Sequence, residues 1–125
     1  MRKSAVLLSA ALLLATLLLV TFALPAFAET KTVTGKLVDL ACYGQNKENT
    51  ENAHKGKGYD CGKACAREGF PVGILTSDGK VYQVSGDLAA HANAKLVPHI
   101  AETVTITGDV SEKGGIAVIT SNELK

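Results

Sequence analysis

Two β-patterned runs, Thr32–Leu40 and Thr103–Val110, each carry a glycine in mid-strand, Gly35 and Gly108. Glycine weakens an ordinary strand, so in such a place it marks a bend or a bulge. A small closed sheet must coil its strands sharply, and glycine kinks are the usual device for it. These two positions therefore fit the sharp coiling of a small barrel.

The segments between and after them fill in the order. Val72–Thr76 and Lys80–Val84 flank Ser77-Asp78-Gly79, where Asp-Gly supplies the positive φ of a tight hairpin. Asp87 is placed to cap a helix running to about Leu96, with Leu88, Ala92 and Leu96 on one face and Pro98 ending it. Ile116–Thr120 follows Lys113-Gly114-Gly115 as a last strand. The order strand, strand, strand, helix, strand, strand is that of the OB-fold, a five-stranded, partly open barrel. The expectation is a mainly β, five-stranded OB-fold-like barrel with one helix between strands three and four, ahead of a small β-sandwich or another five-stranded roll.

Before the barrel comes an export signal. Arg2 and Lys3 precede an almost unbroken apolar run from Ala5 to Leu24, and Pro25-Ala26-Phe27-Ala28 ends in an A-x-A pattern. Residues 1–28 read as a signal peptide cleaved after Ala28, the alternative being an uncleaved membrane anchor. Its destination is an oxidising compartment, a periplasm or the exterior. No cysteine follows the apolar run, which argues against lipoprotein processing. Residues 29–125 form one domain that keeps 11 of the 13 Lys/Arg against 12 Asp/Glu, and is thus near neutral. Near-neutral charge and few aromatics argue against nucleic-acid binding, which normally shows a basic face and stacking rings.

All three cysteines lie between the first two strands, in an insertion spanning about residues 42–70. Asp60 reads as an N-cap, Gly69 suits the left-handed C′ position and Pro71 stops continuation, so a short helix is expected over 61–68. Residues 43–60 are expected as a long polar loop. Cys61 and Cys65 then stand one turn apart, with Cβ atoms roughly 5–6 Å apart, too far for the roughly 3.5–4.5 Å of a disulfide. Cys61 also lies in the first turn, where the helix dipole favours thiolate. Three outcomes stay open. Cys42 pairs with Cys61 or Cys65 and pins the insertion to the barrel, or Cys42, Cys61 and Cys65 hold a metal with His54 as a fourth ligand. Soft sulfurs select copper(I) or zinc. Thiol–disulfide exchange is a weaker third outcome, because the spacing is Cys-x-x-x-Cys.

The runs Gly35-Lys36-Leu37-Val38-Asp39-Leu40-Ala41-Cys42-Tyr43 and Cys61-Gly62-Lys63-Ala64-Cys65-Ala66-Arg67-Glu68-Gly69-Phe70-Pro71-Val72-Gly73 resemble a group of small secreted bacterial proteins. These share a Gly-x-Leu-Val-Asp-x-x-Cys-Tyr strand end, a cysteine-pair turn and a closing Val-x-Val-x-Gly-x-Val strand. The resemblance implies export and no particular activity. Relatives often carry a histidine just before the cysteine pair, whereas here Lys57-Gly58-Tyr59-Asp60 stands there and the nearest histidine is His54. The ligand logic is similar to that of exported copper-delivery proteins of respiratory-oxidase assembly, which are built on a thioredoxin fold.

The remaining candidates read as structural. His91 and His99 are expected at the solvent, Asp39 as a cap or an acceptor for the insertion, and Tyr43, Tyr59 and Tyr82 as packing residues or lining of a ligand face. No nucleophile triad, phosphate loop or paired carboxylates point to catalysis. The expectation is an exported binding protein rather than an enzyme, either handling copper or zinc or stapled by a disulfide. Its partner is a protein or small ligand, and it meets a membrane only through an uncleaved leader.

Overall fold

The structure, a computed structural model of the chain, describes residues 28–54 and 60–125. The expected leader up to Phe27 and the residue Tyr59 lie outside the described residues.

Gly35 and Gly108 sit where each long strand changes partner. Strand β1 (Glu29–Asp39) runs antiparallel to β4 (Thr103–Lys113) from Glu29 to Lys36, and antiparallel to β2 (Val72–Leu75) from Lys36 to Asp39. A β-carbon on Gly35 would lie 2.3 Å from the Leu75 carbonyl oxygen, so only glycine lets β2 close against the bend. Gly108 does the same for β4 as it passes from β1 to β5 (Ile116–Thr120), with the Thr120 oxygen 2.3 Å from its would-be β-carbon. Strand β3 (Val81–Ser85) pairs antiparallel with β2 and parallel with β5. The described strands thus close as β1-β2-β3-β5-β4, the expected OB-fold-like barrel.

Alternation sets what fills it. Val33 and Leu37 point inward and Thr32 and Thr34 outward along β1, and Ile74, Val84, Val104, Ile106 and Ile119 join the core from the other strands. On the outer face, Thr32 and Thr34 pair by hydroxyl hydrogen bonds of 2.8 Å with Thr107 and Thr105. The alternation ends at Val38 and Asp39, both buried, because the insertion covers the outside of the barrel there.

The segment after β3 closes one end of the barrel, but not as the regular helix expected over 87–96. It consists of a 3-10 turn (Gly86–Ala89), a turn at Ala90–Asn93 and a second 3-10 turn (Val97–His99). His91, Ala92 and Asn93 have φ of 54°, 53° and 58°, a left-handed run. Such a run costs L-residues roughly 1–2 kcal/mol each. Leu88 and Leu96 are buried as expected, whereas Ala92 is exposed and Asn93 is turned inward in its place. Buried Asn93 donates through Nδ2 to the Ala66 and Phe70 carbonyls at 2.8 and 3.0 Å, which offsets part of that backbone cost. Asp87 caps nothing with its side chain and instead accepts from Lys95 Nζ at 2.8 Å.

Within the insertion, α1 (Leu40–Gln45) begins where strand and loop were expected to meet, and α2 (Cys61–Arg67) lies close to its expected place. No helix among the described residues is long and apolar enough to cross a membrane.

Candidate metal centre

Asp39 ends β1 and starts α1. Its carboxylate accepts from the Ala41 and Cys42 amides at 3.1 and 3.2 Å, a side-chain cap that turns the chain out of the strand and aims Cys42 back towards the barrel. The Cys42 carbonyl in turn accepts from Asn46 N and Asn49 Nδ2. Cys42 is consequently buried, at 4% exposure.

α2 is held at both ends by asparagines. At its start the Asn52 carbonyl accepts from Gly62 N at 3.0 Å and Asn52 Oδ1 accepts from Lys63 N at 2.9 Å. Asp60, expected as the cap, makes no side-chain cap bond, because its carboxylate is taken by Asn52 Nδ2 and Arg67. Those two hydrogen bonds hold the Asp60 carboxyl below the usual carboxylate range. At the other end Gly69, with φ of 88°, closes the helix as expected: Gly69 N donates to Ala66 O and Phe70 N to Cys65 O, a Schellman motif to which Asn93 adds its own two bonds. The helix lies on the segment after β3 that plugs the barrel, through Gly62, where a β-carbon would meet Ile100 at 2.9 Å, and through buried Ala66.

This scaffolding brings the predicted donors together. Cys42 Sγ lies 3.8 Å from Cys61 Sγ and 3.9 Å from Cys65 Sγ, and all three cysteines are free thiols. The Cys42 pairing with Cys61 or Cys65 expected as one alternative is therefore not formed. A disulfide requires sulfurs about 2.05 Å apart. Sulfurs bound at about 2.3 Å to one tetrahedral ion stand about 3.8 Å apart, which matches both separations. His54 joins them: a ring nitrogen lies with Cys42 and Cys61 in a group whose ligand atoms are all within 4.8 Å of one another. His54 is only 5% exposed, and its Nδ1 has no hydrogen-bond partner among the described residues. An unsatisfied buried nitrogen costs roughly 1–3 kcal/mol, and coordination is one way to recover it.

Asp39 is the donor that sequence reasoning treated as structural alone. Its carboxylate lies with Cys42 and Cys65 in a second group within the same span. The signal was present in the sequence, since a cap three residues before a cysteine places both groups on the same turn. Burial, and then the hydrogen bond to Asp39, push the Cys42 thiol well above the ordinary thiol range. Burial foremost, with the Asp39 charge second, also raises Cys65. A metal ion must displace these protons, so its binding strengthens as pH rises.

The other candidates lie elsewhere. His91 is exposed and His99 bonds Glu102 at 2.9 Å through Nδ1, neither in a donor group. Tyr82 is buried in the core, whereas Tyr43 lines an open groove of about 450 Å³ with Leu40, Pro71, Val81 and Ile116, and Lys47 Nζ sits 4.3 Å above its ring. Helix α1 thus presents Cys42 to the thiol cluster and Tyr43 to the groove. No protein-family model matches the chain, and comparisons with curated proteins and with solved structures return no match.

Proposed function

We propose that this protein is an exported OB-like binding module that holds zinc or copper(I) at its Cys42, Cys61, Cys65 and His54 cluster. One observation carries the reading: a buried imidazole with an unpartnered nitrogen stands beside Cys42 and Cys61, whose sulfurs are spaced as ligands of one ion. Export rests on the leader pattern of residues 1–28 and on the resemblance to small secreted bacterial proteins. The chain binds rather than catalyses, and its near-neutral charge turns it towards a protein or small-ligand partner rather than nucleic acid.

The competing reading, a disulfide-stapled module without metal, draws on the same closeness, because two-electron oxidation could join Cys42 to either neighbour. Anaerobic titration of the reduced protein with zinc and with copper(I), beside a count of alkylatable thiols, separates the two. Stoichiometric ion retained with all thiols reduced, and lost in Cys42→Ser, is the expected result. A fully reduced protein that retains neither ion would sink the proposal.

A further inference from the structure

The two donor groups share one member. Cys42, His54 and Cys61 form the first, and Asp39, Cys42 and Cys65 the second. Cys61 and Cys65 approach Cys42 from separate positions on α2, and each group leaves one place of a tetrahedron unfilled. We infer that the cluster is a two-ion site for divalent zinc, in which the Cys42 sulfur bridges one ion held by His54 and Cys61 and another held by Asp39 and Cys65.

Charge and ligand chemistry support this assignment, which rests on the metal-binding reading above. Asp39 is 2% exposed, and none of the ion pairs among the described residues reaches it. The two α1 amides that it caps give it partial positive charge, and a cation beside it would complete the balance of a buried carboxylate. Three thiolates and this carboxylate carry four negative charges around a neutral imidazole, and two divalent cations cancel them. A single zinc in the same place would leave two negative charges buried together. A thiolate has lone pairs enough to bind two ions, and Cys42, central to the cluster and the most buried of the cysteines, is the sulfur placed to do so. The carboxylate oxygen matters for ion identity, because oxygen donors suit zinc and are poor ligands for copper(I). The open place on each ion leaves room for water or for a ligand supplied by a partner.

The test is a zinc titration of the fully reduced protein with native mass spectrometry as readout. Two zinc ions per chain are expected, falling to one in Cys65→Ser and Asp39→Asn, to one in Cys61→Ser and His54→Ala, and to none in Cys42→Ser. Asn retains a capping oxygen, and far-ultraviolet circular dichroism checks that each variant is folded. Cobalt(II) tests the bridge itself: the second equivalent should lower the paramagnetic resonance signal of the first, since two cobalt ions sharing one sulfur couple antiferromagnetically. One zinc per chain in the wild type, or cobalt signals that simply add, would overturn the two-ion site while leaving the metal-binding proposal standing. No zinc at all would remove the two-ion site, and would remove the metal-binding proposal with it if copper(I) is not retained either. Two zinc ions retained by both Asp39→Asn and Cys65→Ser would overturn the assignment of the second ion.

Discussion

The barrel and its insertion are ordered by different physics. Barrel residues are placed by many equivalent interactions: ladder hydrogen bonds all round a closed sheet and inward-facing aliphatic side chains such as Leu37, Ile74 and Ile106. The insertion carries its three cysteines on two short helices, α1 and α2, and the helix ends depend on single polar side chains: Asp39 and Asn49 for α1, Asn52 and Asn93 for α2. Losing one contact from the barrel is diluted among its neighbours. Losing one cap from the insertion moves a ligand. A small domain can therefore keep its fold while its binding site is tuned or lost through single polar residues.

The comparison breaks hardest where the two regions are joined. Leu37→Ala, at the closed end of β1, should lower unfolding free energy by about 2–5 kcal/mol, and the barrel and the donor cluster should be lost in one transition. A chemical denaturation curve followed both by circular dichroism and by metal release checks this. Coincident curves are expected, and separate ones would show that the insertion is not coupled to the barrel through β1.

A cap substitution should separate the regions. Asn93→Ala removes both donors to the Ala66 and Phe70 carbonyls and keeps a left-handed φ that alanine dislikes, a loss of roughly 1–3 kcal/mol. The effect should concentrate in α2: faster amide exchange over Cys61–Arg67 and faster metal release, with the strands still protected. Uniform exchange across the strands would show barrel and insertion to be one cooperative unit.

The smallest effect concerns pH. Cys42 and Cys65 are raised by burial, so the metal-free fold favours their protonated forms. That contribution is fully present below the ordinary thiol value of about 9 and drains away as pH climbs beyond it. The metal-free protein should therefore melt at lower temperature as pH is raised through that range. Cys42→Ala, which lacks the largest raised group, should lose less over the same interval, as differential scanning calorimetry will record.

Most of the barrel was legible because its rules are local. Period-two burial marked β1 through Leu37, Asp78-Gly79 marked the hairpin, and Gly35 and Gly108 marked the places where a strand changes partner. The helix between β3 and β4 was legible only in position. Its Leu88 and Leu96 anchors are buried as the pattern asked, but the run between them is broken by a tertiary demand, since α2 needs the Asn93 side chain at its end. Asp60 failed as a cap for a related reason, because Asn52, eight residues earlier, reaches the amides and Arg67 takes the carboxylate.

What the order of residues settled unaided was the barrel, the crowding of every thiol into one insertion, and a cysteine helix closed by Gly69. These follow from side-chain periodicity and backbone preference, which act over a few residues. Only the folded chain decided that Cys42 stands within 4 Å of both other sulfurs, that His54 is sealed in beside them with a nitrogen to spare, and that Asp39 turns its carboxylate to the same place. Donors that lie up to 26 residues apart along the chain meet because β1, β2 and the plug each fix one side of the insertion, and such a meeting leaves no local mark.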